Sequence, residues 1–299
     1  MIYRLLFIIL VVFFTNLPEV NSQANLLNAR VPQDVGRLSD DQKKASTQDP
    51  LSYGFVDDRD ILWSKTVWER IDVDERINFP YYYPTDTLNL GPDRRSLFHI
   101  LKNNLRSGNI KEVYDDDYFQ IKLTYREILD KLVSIDTLDA GFEQLNAGEA
   151  LDPQYVNRRN ITAREIRQYR VKGTWYFNKR QGELKYRLLG LAPVAPDVYT
   201  LDKPEAEQDL VELFWIWFPD ARISLNTSTV FNTRNSSQPI TYDHMLNSRR
   251  FNSIIYKEEN VYEDRLINEY IFEDALQQLL ESERIKSVIR DFEQDMWNN

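Results

Sequence analysis

The sequence predicts an α+β fold: a largely antiparallel sheet with packed helices, a possible internal duplication, and a long C-terminal helix. Three observations carry that expectation. Before the turn Asn178-Lys-Arg-Gln-Gly182, Tyr169, Val171, Trp175 and Phe177 alternate with Arg170, Lys172, Thr174 and Tyr176. After it, Leu184, Tyr186 and Leu188 alternate with Glu183, Lys185 and Arg187, which is the two-residue period of a β-hairpin. Val211–Phe218 is too apolar for a half-exposed strand, so it belongs centrally in the sheet, with Pro219 stopping it. Finally, Ile267, Ile271, Ala275 and Leu279, and then Ile285, Val288, Ile289, Phe292 and Met296, recur at threes and fours, with no breaker from Asn268 to Trp297.

Taken in chain order, residues 1–22 read as an export signal. A basic start at Arg4 leads into the apolar run Leu5–Phe14, and Val20-Asn-Ser22 offers small residues ahead of a cut before Gln23. That run is shorter than the roughly 20 residues that cross a bilayer. A buried N-terminal helix is the alternative. Residues 23–58 show no sustained helical or strand period and read as an extended or disordered arm, either a solvated leader or a segment that orders against a neighbouring subunit.

From residue 59 to 299 we expect a single α+β domain. Ile61-Leu-Trp63 and Val67-Trp68 open it, and Pro80-Tyr-Tyr-Tyr-Pro84 reads as an extended, proline-bounded stretch. Leu97, Leu101 and Leu105 predict a helix over 93–105, and Ile128, Leu129, Leu132 and Val133 predict another over 125–133. Residues 136–160, with Gly141, Gly148 and Pro153, read as a loop-rich connector. Trp63, Trp175, Trp215 and Trp217 are assigned to the core. The C-terminal helix either joins the core or protrudes to pack on a partner.

The two ends of this domain echo each other. Ile61, Trp63, Arg70, Ile71, Val73 and Phe79 match Leu213, Trp215, Arg222, Ile223, Leu225 and Phe231. Ser96, His99, Leu101 and Ile110 then match Thr241, His244, Leu246 and Ile255, and Val113–Asp116 matches Val261–Asp264. An ancient duplication would make two related halves, about 60–135 and 209–299, flanking the central hairpin of about 165–195.

Composition narrows the chemistry. The chain has no Cys and two His, so disulfides, thiolate metal sites, Cys nucleophiles and multi-His sites have nothing to draw on. A net charge of −10 argues against nucleic acid. Asp115-Asp-Asp117 could ligate Ca²⁺, but it lacks the alternating ligands and glycine of an EF-hand loop, so a solvated turn is the favoured reading. No nucleophile elbow, zinc-protease helix or phosphate loop occurs. No catalytic residue, metal ligand or cofactor emerges. We take Tyr81, Tyr82, Tyr83, Arg284, Phe292 and Trp297 as candidate partner contacts, because aromatics and Arg are enriched at subunit interfaces.

Several stretches together resemble the GldN/PorN family of Bacteroidota gliding-motility proteins. They are Trp63–Ile71, Phe79–Pro84, Asp93–Leu97, Lys172–Pro196, Pro219–Arg222, Leu280–Lys286 and Phe292–Trp297, spread from about residue 60 to the C-terminus. The resemblance implies a non-enzymatic, periplasmic structural subunit of the type IX secretion and gliding machinery. It would form a ring beneath the outer membrane with a GldK/PorK-like lipoprotein, and meet a GldM/PorM-like motor protein anchored in the inner membrane. Membrane contact would come through those partners alone. The rival expectation is an exported carbohydrate-binding protein or a carboxylate-based glycoside hydrolase, which would show a cleft lined by exposed aromatics and two suitably spaced carboxylates.

Overall fold

Period-two patterning sets the centre of the molecule. The computed structural model describes residues 49–86, 94–232, 240–272 and 274–297, all within one unit, 46–299. Residues 1–22, expected to be an export signal, and the arm as far as Gln48 lie outside the described residues. The strands are β1 (Ile61–Asp72), β2 (Val113–Tyr114), β3 (Val133–Thr137), β4 (Val156–Asn160), β5 (Gln168–Asn178) and β6 (Glu183–Pro196). They continue with β7 (Leu210–Glu212), β8 (Trp215–Trp217), β9 (Thr229–Val230), β10 (Ile240–Thr241) and β11 (Ile254–Glu258). The helices are α1 (Phe79–Tyr82), α2 (Leu97–Arg106), α3 (Tyr125–Leu132), α4 (Asp139–Asn146), α5 (Phe218–Asn226), α6 (Tyr242–Asn247), α7 (Ile267–Tyr270) and α8 (Ala275–Trp297).

The principal sheet has the order β11-β1-β5-β6-β8-β2, with β7 beside the end of β6, and every pairing is antiparallel. The fold is α+β, as the sequence predicts. The β5–β6 turn closes because Asn178 accepts hydrogen bonds from the Arg180 and Gln181 amides, at 3.0 and 3.2 Å, while Gly182 takes a φ of 66°. Gly173 leaves room for Tyr186, since any Cβ there would fall on the Tyr186 ring.

The sheet has two differently covered faces. On one, Ile71, Tyr169, Val171, Leu188 and Leu191 pack with Leu101, Ile128, Phe218 and Leu246 from the helices. Farther along it, Val67 and Ile255 pack with Ile285 and Ile289 of α8. On the other face, Trp68, Tyr114, Ala192 and Trp215 form a smaller cluster beneath Phe119 of the β2–α3 loop. Trp68 and Trp215 are fully buried, whereas Trp63, Trp175 and Trp217 are only partly buried at cluster rims.

Helices α2, α3 and α6 start where a short polar side chain caps them. Ser96 and Thr241 accept from the amides of His99 and His244, and Thr124 forms a reciprocal capping box with Glu127.

Several elements depart from the sequence expectation. Val211–Phe218 is two short strands, β7 and β8, and β8 is next to the β2 edge. Pro219 does not end an element. It occupies the first turn of α5, where its missing N–H costs nothing. Residues 136–160 contain α4 and parts of the antiparallel pair β3–β4. Pro80 likewise sits in the first turn of α1, so the aromatic stretch is a short helix up to Tyr82. The C-terminal pattern breaks after Tyr270, and Asp274 caps a new helix by accepting from the Gln277 amide at 2.9 Å.

The internal echo divides in two. Residues 61–72 form one strand, while their matches pass from strand to helix at Phe218, so Arg70 and Ile71 lie on a strand and Arg222 and Ile223 on a helix. Ser96–His99 and Thr241–His244 do occupy like positions, both being N-caps.

Candidate functional site

The acidic run Asp115–Asp117 is engaged within the protein. Asp115 pairs with Lys131, and Asp116 accepts from the amides of Tyr118, Gln120 and Ile121, shaping the loop that carries Phe119 at a φ of 61°. Asp117 reaches Lys257 at 2.8 Å, and its carbonyl accepts from Lys172 Nζ at 2.9 Å. Sheet register makes this possible. Trp68 on β1 is paired with Lys172 on β5 and with Lys257 on β11, forming a Lys–Trp–Lys row. The two ammonium groups stand 4.6 and 4.3 Å from the Trp68 ring centroid. Burial pushes the Lys172 pKa down against the pull of Asp117, and the positive Lys257 adds to that fall. Burial also opposes the charge on Lys257, but its hydrogen bonds to Asp117 and Tyr118 outweigh it and raise its pKa. The loop is thereby tied across the sheet. Among the described residues, no group of three or more His, Asp or Glu side chains is arranged to hold a metal ion.

A polar cleft of about 360 Å³ opens beside Arg159, Arg164, Glu165, Arg167, Asp202 and Gln208. Two of its cations are already paired, Arg159 with Asp136 and Asp202, and Arg167 with Glu205. Among the described residues, no aromatic ring lines it.

The candidate contact residues separate sharply. Tyr81 is fully buried and its hydroxyl donates to the Arg250 carbonyl, so it belongs to the core and offers no surface. Burial raises its pKa far above the ordinary tyrosine value. Tyr82 donates to the Arg164 carbonyl at 3.0 Å. Tyr83 is exposed and sits edge-on to Phe79. Phe292 is spent within the chain, stacked on Trp63 at 4.7 Å and edge-on to Phe177 at 5.9 Å. Arg284 forms two 2.7 Å hydrogen bonds to Glu281, which also accepts from Tyr270, bracing the α7–α8 corner. That arginine holds the Glu281 carboxyl below its usual range. Trp297 ends α8, and its side chain lies outside what is described.

The surface that sequence reasoning passed over is the outside of the same corner. Helix α8 turns Ile285 and Ile289 into the sheet, and on its opposite side leaves Leu276, Leu279 and Leu280 exposed. Phe272, in the connection before it, is 74% exposed. Leu276 and Leu280 are one turn apart, and Leu279 is at i+3 from Leu276, so the three share a stripe. Farther along, the same side carries Glu283, Ser287 and Arg290, so the apolar patch is confined to the corner. The signal was present in the sequence. More apolar positions occur in the first half of α8 than one buried face can use.

No helix among the described residues is long and apolar enough to cross a membrane. In comparisons with known proteins, the family model described as "Gliding motility associated protein GldN" matches residues 56–298. No curated protein matches the chain significantly.

Proposed function

The chain belongs to the GldN family of gliding motility associated proteins, and from that premise we propose that it is a non-enzymatic structural subunit of the type IX secretion and gliding machinery. In this reading residues 1–22 direct export to the periplasm. The domain then joins a ring beneath the outer membrane with a GldK/PorK-like lipoprotein and meets a GldM/PorM-like motor protein. Its work is to hold position and transmit force through stable contacts. The observation that carries the proposal is the exposed Phe272–Leu276–Leu279–Leu280 patch on a braced helix corner. An apolar patch rimmed by charge is the usual mark of a protein contact. Stable assemblies of this kind bury upwards of about 2,000 Å², so the patch is expected to be the centre of a larger seam.

The burial of Trp68 and Trp215 also favours this reading over a carbohydrate platform, which needs such rings in an open cleft. The experiment is co-expression of residues 23–299 with the lipoprotein, followed by mass photometry and imaging. A very large ring-shaped complex is expected. Replacing Leu276, Leu279 and Leu280 together with Ser should leave the unfolding midpoint nearly unchanged and abolish the complex. A chain that remains monomeric beside the lipoprotein would overturn the proposal.

A further inference from the structure

The described end of the N-terminal arm meets the domain in an unusual way. The Tyr53 ring lies between two guanidinium groups, with Arg222 Cζ 4.1 Å and Arg187 Cζ 4.4 Å from its centroid. Its hydroxyl donates to Asn247 Oδ1 at 2.8 Å. The carbonyls flanking it are held by the same arginines, Leu51 by Arg222 at 2.7 Å and Gly54 by Arg187 at 3.3 Å. These are the contacts of a peptide ligand: one anchored ring and two backbone acceptors.

Two of the receiving groups, Arg222 and Asn247, also have partners outside the arm. Arg222 and Asp243 are both buried and form a two-bond ion pair between α5 and α6, at 2.8 and 3.1 Å. Asn247 is oriented by donating Nδ2 to the Asp243 carbonyl and carboxylate, both at 2.9 Å. Arg187 comes from the part of β6 that, among the described residues, pairs with β5 alone. Beyond those backbone contacts the neighbouring side chains do not pack on the domain, with Leu51 86% and Phe55 92% exposed. A segment of core would bury those side chains. A bound strap need not.

We propose that Arg187, Arg222 and Asn247 form a docking slot for an extended, tyrosine-bearing segment, occupied in the single chain by its own Leu51–Gly54, and that the same segment of a second copy can take its place. The short connection from Gly54 to β1 keeps the chain's own strap at an effective concentration on the order of millimolar. A segment in trans therefore enters only when the cis strap is released. The π face of the ring, attracted by both cations, makes the tyrosine the determinant of binding.

The test uses the full chain and a labelled peptide spanning residues 49–58, followed by fluorescence anisotropy. The Tyr53→Ala chain should bind the peptide at least about 10-fold more tightly than the unaltered chain does. A peptide in which the tyrosine is replaced by Ala should bind neither. Equal binding to both chains, or none to the Tyr53→Ala chain, would overturn the proposal. So would a Tyr53→Ala chain that no longer melts cooperatively, since the segment would then be part of the core.

Discussion

Replacing Phe292 with Ala separates two roles that its sequence position leaves open, a partner contact and an internal anchor. In the structure the ring stacks on Trp63 at 4.7 Å with an 18° interplanar angle, and stands edge-on to Phe177 at 5.9 Å. Removing a fully buried Phe costs about 3–5 kcal/mol. The ring of Phe292 is only partly buried, which roughly halves that cost to about 1.5–2.5 kcal/mol, and at this rim the aromatic geometry adds about 0.5 kcal/mol, the low end of what one pair contributes beyond its area. The expected loss is about 2–3 kcal/mol. It falls first on the C-terminal half of α8, whose docking beyond Ile289 depends on this ring. At about 1.4 kcal/mol per tenfold, hydrogen exchange of amides in 285–297 should accelerate by roughly 30- to 150-fold, while the β5–β6 hairpin keeps its protection. Hydrogen-exchange mass spectrometry on the isolated chain reads this directly. Unchanged protection in α8, together with loss of assembly, would refute the reasoning and return Phe292 to the surface.

Two further predictions concern buried charge and pH. Glu69 is buried in β1 with both oxygens on Arg249, at 3.0 and 2.7 Å, and a third contact from Ser253. Glu69→Leu strands the guanidinium and should cost about 3 kcal/mol by urea unfolding, near the lower bound for a broken buried pair because Arg249 keeps some solvent. Adding Arg249→Met should recover part of that loss. His99 has its pKa lowered from 6.5 by burial first, then by the charges of Arg95 and Lys102. The unfolded chain therefore takes up the proton before the folded one. Its contribution should be constant above about pH 6.5 and be lost as pH falls through the depressed folded value. Midpoints measured across that window should flatten in His99→Gln, and an unaltered slope would refute the assignment.

How much of this protein its sequence determines depends on the range of the interaction. The hairpin turn is read from Asn178 and Gly182, and the helix starts from Ser96, Thr124 and Thr241, because a cap or turn acts over a few neighbouring residues. The buried side of α8 is legible for the same reason, since a 3.6-residue period is local information. The outer patch of that helix was legible too, as apolar residues in excess of one face.

Other assignments depend on contacts far apart in the chain. Three adjacent tyrosines look alike in sequence, and only packing against Phe251 and Tyr242 decides that Tyr81 is core while Tyr83 stays outside. The acidic run looks like a cation site until register brings Lys172 and Lys257 to either side of Trp68, within reach of Asp117. Phe292 looks like an exposed ring near the end of a helix until Trp63, from the opposite end of the domain, lies beneath it. In each case local pattern fixed which side chains shared a face. The closing of the sheet decided what stood opposite, because pairing between distant strands is an outcome of the whole chain's burial and hydrogen bonding.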